Sequence, residues 1–69
     1  MQKLSKAKAG NYTVKWIFDE TEVLDLLREI SIEVGNEVTV LSNCLGGVVI
    51  RSYSGKYAID GDLLHGVTV

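Results

Sequence analysis

Gly10-Asn11-Tyr12-Thr13-Val14-Lys15-Trp16-Ile17-Phe18, followed at once by Asp19-Glu20-Thr21-Glu22-Val23-Leu24-Asp25-Leu26-Leu27-Arg28-Glu29-Ile30, is the stretch that decides the fold. In its first half Tyr12, Val14, Trp16 and Phe18 fall two apart and share one side of an extended chain, while Thr13 and Lys15 take the other. In its second half the spacing becomes helical, and Val23, Leu26, Leu27 and Ile30 form one apolar stripe. A first strand therefore runs into a short helix. Tyr12 and Trp16, in phase with Val14 and Phe18, are expected in the core. The helix start is marked three times over: Asp19 is placed to accept from the free amides, Glu22 stands at the capping-box position, and Phe18 is spaced to pack on Val23.

Beyond the helix, Gly35-Asn36 is a turn signal. Glu37 to Leu41 is the second strand, with Val38 and Val40 on its core face. Residues 42 to 47 read as a loop, and Val48 to Tyr53 as a third strand of high β-propensity. Ser54-Gly55 then turns the chain into a fourth, Lys56 to Ile59. Residues 60 to 66 allow one helical turn in which Leu63 and Leu64 plug the end of the sheet, and Val67 to Val69 is a last strand. Five short strands and one helix in 69 residues make no second layer of any size. Closing the sheet buries both edges, so the expected fold is a mainly β, five-stranded small barrel with one short helix after the first strand, a single domain over 1–69.

Composition narrows the function. Apolar residues make up 46% of the chain and charged residues 23%, as in a globular protein. Seven Lys and Arg against nine Asp and Glu leave a net charge of −2, which argues against a surface that tracks nucleic-acid phosphates. The one cysteine, Cys44, excludes an internal disulfide and fits a reducing, cytoplasmic setting. Met1 to Lys6 carries charge and lacks the apolar run of a secretory signal, and no later run is long enough for membrane insertion.

The sequence offers no catalytic constellation, so no enzyme is expected. Cys44 and His65 are the only soft metal donors, short of the three or four protein ligands a zinc site uses. With Asp62 they support at most a weak mixed site for Fe2+ or Zn2+, and no cofactor is required. Gly46-Gly47 lacks the spaced glycines of a nucleotide fingerprint. Binding is what remains. The acidic side chains of Glu22, Asp25 and Glu29 lie outside the helix's apolar stripe, Cys44-Leu45-Gly46 occupies a loop, and Tyr53 flanks the hairpin turn; these are the expected contacts with a partner. Self-association is left open.

One resemblance spans nearly the whole chain. Gly10-x-Tyr12-x-Val14, Leu26-Leu27-x-x-Ile30-x-Ile32-x-x-Gly35-x-x-Val38-x-Val40, Gly47-Val48-Val49-Ile50 and Tyr57-Ala58-Ile59 with Val67-Thr68-Val69 together resemble the FeoA family. The resemblance implies an SH3-like barrel and a cytoplasmic accessory of ferrous-iron transport, acting by protein–protein interaction on the GTPase region of a FeoB-type transporter. The alternative it carries is the related SH3-like module of metal-responsive repressors, acting on a transcriptional repressor. The chain departs from the family pattern in its connections: Ser31 stands where glycine is common after the helix, Val34 where proline often precedes Gly35, and Asp60 where a basic residue often follows the fourth strand.

Overall fold

A computed structural model describes the whole chain, Met1–Val69. It contains six strands: β1 (Gly10–Thr13), β2 (Trp16–Ile17), β3 (Glu37–Cys44), β4 (Gly47–Ser52), β5 (Gly55–Asp60) and β6 (Val67–Thr68), with one α-helix, α1 (Thr21–Glu29). Leu4–Lys6 and Gly61–Leu64 are short 3₁₀ turns. The strands form an antiparallel four-stranded sheet, β1-β3-β4-β5, and a separate antiparallel pair, β2-β6. The mainly β architecture with one helix is as expected. The sheets do not close into a barrel, however, and the strand count is six rather than five.

The reason lies at Val14 and Lys15. The Val14 amide donates to the carbonyl of Asn36 (2.9 Å) and its own carbonyl accepts from Gly35 (2.8 Å), beside β3. The next amide, that of Lys15, donates to Thr68 (2.7 Å) in the other sheet. Two adjacent residues thus give their hydrogen bonds to different sheets, and the first strand breaks at this corner into β1 and β2. Turning the corner also changes the side-chain phase, since a slip of one residue exchanges the faces of a strand. Val14 is buried and Ile17 half-buried, while Trp16 and Phe18 point outward, 53% and 88% exposed. The expected burial of Trp16 and Phe18 is therefore corrected, and Tyr12 is only half-buried.

The helix start is corrected with it. Phe18 is still held in the small sheet, its amide donating to the Gly66 carbonyl (2.9 Å), and so it does not staple Val23. The Asp19 carboxylate accepts only from the neighbouring Glu20 amide (2.8 Å), and no side chain caps α1. Gly66 is required at this crossing, because a Cβ there would strike the Phe18 carbonyl oxygen.

Within the four-stranded sheet the alternation holds: Val38, Val40, Val48 and Ile50 are buried. The predicted 42–47 loop shortens to Leu45-Gly46, because β3 runs on to Cys44 through a bulge between Val40 and Ser42. The extra residue, Leu41, turns Asn43 instead of Ser42 to the inner side, opposite buried Val48. From there the Asn43 amide donates to the carbonyls of Ser5 and Ala7, both at 3.0 Å. This anchors an N-terminal segment that has no periodic pattern yet contributes fully buried Leu4 and Ala7. Gln2 and Val69 exchange both backbone hydrogen bonds, and Lys3 bridges to Thr68, so residues 2–3 flank β6 on the side away from β2. The second hairpin turns at Tyr53-Ser54, one residue earlier than expected, with Ser52 paired to Gly55.

Candidate functional site

Helix α1 has two adjacent leucines, and neighbouring helical residues point about 100° apart, so a narrow core takes only one of them. Leu27 is buried and Leu26 remains 51% exposed. The 3₁₀ turn repeats the pattern: Leu64 is buried, Leu63 in part exposed. The apolar surface left over faces strand β5, the edge of the four-stranded sheet. Val23, Leu26 and Ile30 on one side, Ala58 and Ile59 on the other and Leu63 at one end line an open groove of about 230 Å³. Two acidic residues, Glu29 and Asp60, stand on its rim.

The walls are held by backbone chemistry. Ser52 Oγ donates to the Ile30 carbonyl (2.5 Å), tying the helix end to the β4–β5 hairpin. Ser31 leaves the helix with φ +63°, which lets the Ile32 amide reach back to Leu27 (2.8 Å). That left-handed conformation explains why glycine suits this position. At the other end, Asp60 caps the 3₁₀ turn, accepting from the Asp62 amide at 2.9 Å.

The tip of the β3–β4 hairpin completes the surface. Leu45 and Gly46 have φ of +53° and +79°, as a two-residue turn with both central residues left-handed requires. A leucine there costs about 1–2 kcal/mol of backbone strain. Its side chain gains nothing from its own chain, being fully exposed. The Gly46 carbonyl accepts from the Gly61 amide (2.8 Å), and Gly47 pairs with Asp60. A shallower concavity beside the tip shares Ala58, Ile59 and Asp60 with the groove, so the two form one continuous surface.

Some of the expected contact residues meet on this surface. Glu29 and the loop Cys44-Leu45-Gly46 lie on it. Glu22 is exposed in the first turn of α1, and Asp25 is exposed and paired to Arg28 (3.3 Å), which also pairs to Glu33 (3.4 Å). Tyr53 is exposed at the opposite end of β4, about 20 Å along the strand by its rise per residue, and its hydroxyl accepts from the Glu37 amide (3.4 Å). The groove itself was not read from the sequence, where Leu26 and Leu63 counted as core; their adjacency to Leu27 and Leu64 was the available signal.

The metal donors are dispersed. Cys44 ends β3 as an exposed free thiol, Asp62 lies in the 3₁₀ turn, and the His65 imidazole is hydrogen-bonded to Lys3 Nζ (3.1 Å). No three His, Cys, Asp or Glu side chains converge to hold an ion. No helix is long and apolar enough to cross a membrane.

No protein-family model matches the sequence, and no curated protein matches it either. Solved structures do match in shape. A crystal structure of an iron uptake regulatory protein, FeoA, superposes with a TM-score of 0.88 at 22% identity, over 96% of this chain and 91% of that one. The solution structure of FeoA from Chlorobium tepidum gives 0.80 at 23% identity, over 97% and 67%. A manganese-dependent transcriptional repressor gives 0.84 at 16% identity, where this chain spans 39% of the length, and ScaR with bound Cd2+ gives the same score and identity over 34% of its length. The fold is thus that of a small SH3-like module. More narrowly, it is the FeoA-like SH3 fold.

Proposed function

We propose that this chain is a single-domain, non-catalytic cytoplasmic accessory of ferrous-iron transport, which docks the α1–β5 groove and the Leu45 hairpin tip onto the GTPase region of a FeoB-like transporter. The observation that carries the reading is the open groove between half-exposed Leu26 and β5, continuous with a strained turn whose leucine faces only solvent. Strain without an internal contact to offset it marks a residue selected for an external one. The likeness in shape to FeoA, over 96% of this chain, supports the accessory reading. Docking of this kind uses apolar anchors with an acidic rim and needs no cofactor, and any binding of Fe2+ or Zn2+ by Cys44, Asp62 or His65 is weak and incidental to it.

The test is titration of the purified GTPase region with this protein, reading affinity and hydrolysis rate together. Leu26→Asp should weaken binding at least tenfold, as loss of a central apolar anchor does. Absence of binding by the unaltered protein contradicts the reading. The repressor-like structures support a second reading, a metal-responsive module acting on a transcriptional repressor. Capture of a repressor in place of the transporter region, under reducing conditions with and without divalent metal, would select it.

A further inference from the structure

The outer face of the β2–β6 pair lies outside the docking surface and has a different chemistry. Trp16 sits opposite Thr68, with Lys3 bridging to Thr68 from the far side, so all three share one face. Phe18, two residues on, lies on the same side beside Gly66, with its ring open to solvent. His65 joins through its hydrogen bond to Lys3. Lys3, Trp16, Phe18, His65, Gly66 and Thr68 together line a shallow open depression. Of the four lysines that precede Asp19 (Lys3, Lys6, Lys8, Lys15), Lys3 stands on this face, and from Asp19 to Glu37 every charged side chain except Arg28 is acidic. The Asp19 carboxylate lies at the rim beside Gly66.

From this arrangement we infer that the Trp16–Phe18 face adsorbs to an anionic lipid surface. Tryptophan and phenylalanine beside lysine are the side chains that settle at the headgroup–acyl boundary, the rings below it and the ammonium groups against lipid phosphates. Phe18 projects from a short sheet with no wall around it, and a soft phase accepts such a ring without a matching cavity. A nucleic-acid strand fits less well, because the shallow depression offers no groove that tracks a phosphate chain. Adsorption in this sense is shallow and differs from membrane insertion.

Trp16 is the only tryptophan of the chain, so its emission reports on this face alone. Vesicles containing phosphatidylglycerol should shift that emission to the blue, and brominated lipid should quench it. Pure phosphatidylcholine vesicles should do neither, and ionic strength near 0.5 M, where screening reaches only a few Å, should reverse the shift. In co-sedimentation, Lys3→Glu should lower the vesicle partition by at least about fivefold and Phe18→Ser by about tenfold. Retained far-ultraviolet dichroism shows that both variants fold. The inference is overturned by no shift with the anionic vesicles, by an equal shift with neutral ones, by a Phe18→Ser protein that partitions undiminished, or by Trp16 responding to oligothymidylate or to self-association in place of lipid.

Discussion

Strands β3 and β4 and strand β2 carry the same kind of alternating pattern and put it to opposite use. In β3 and β4 the in-phase residues Val38, Val40, Val48 and Ile50 are all sealed from solvent. In β2 and just past its end the residues in phase with Val14, namely Trp16 and Phe18, face outward. The difference is that β3 and β4 each remain in one sheet, whereas the first strand changes sheets between Val14 and Lys15. Period-two spacing identifies a face only as far as the strand keeps its partners, and a corner resets the phase.

Four substitutions probe that contrast, and the largest effect belongs to the sheet that kept its phase. Ile50→Ala removes a fully buried side chain between β3 and β5 and should cost about 2–5 kcal/mol in urea denaturation. A chain of this size has a total stability of roughly 3–10 kcal/mol, so much of the population should unfold. Asn43→Ala leaves the Ser5 and Ala7 carbonyls without their donor and should cost about 1–3 kcal/mol. Amide exchange should quicken across residues 2–7 more than in β4; uniform quickening would show that the bulge does not specifically anchor the N-terminal segment.

Ser31→Gly should act in the opposite direction. The residue is left-handed; its amide donates to the Arg28 carbonyl (3.0 Å) and its carbonyl accepts from the Asn36 side-chain amide (3.0 Å), and glycine keeps both of these backbone bonds. Relief of the strain, less the extra freedom glycine gives the unfolded chain, should raise the urea midpoint by an amount worth roughly 0.5–1 kcal/mol. The smallest effect is expected at Phe18→Ala, within about 0.5 kcal/mol for so exposed a side chain. A loss of about 3 kcal/mol or more, the cost of truncating a core phenylalanine, would restore the phase read from the sequence and break the corner.

The four-stranded sheet and the helix were legible because each is a local, unbroken pattern, and the FeoA-like fold was legible because those patterns follow one another at characteristic spacing. The anchoring of residues 2–7 was not, since Leu4 and Ala7 sit among lysines without periodicity and their partner Asn43 faces inward only because of the bulge at Leu41. Of the site, the acidic helix and the Leu45 tip were legible as exposed elements. The groove between them was hidden because an amphipathic stripe does not state how much of its width the core covers, and here Leu26 and Leu63 fall on the uncovered part.

The most direct test of the docking account is an NMR titration of the labelled protein with the GTPase region of a FeoB-like transporter, following the backbone amides of Leu26, Ile30, Leu45, Ile59 and Leu63. The account predicts saturable shifts at these five positions while Trp16 and Phe18 remain still. Unmoved groove and tip resonances, or shifts confined to Trp16 and Phe18, would contradict it.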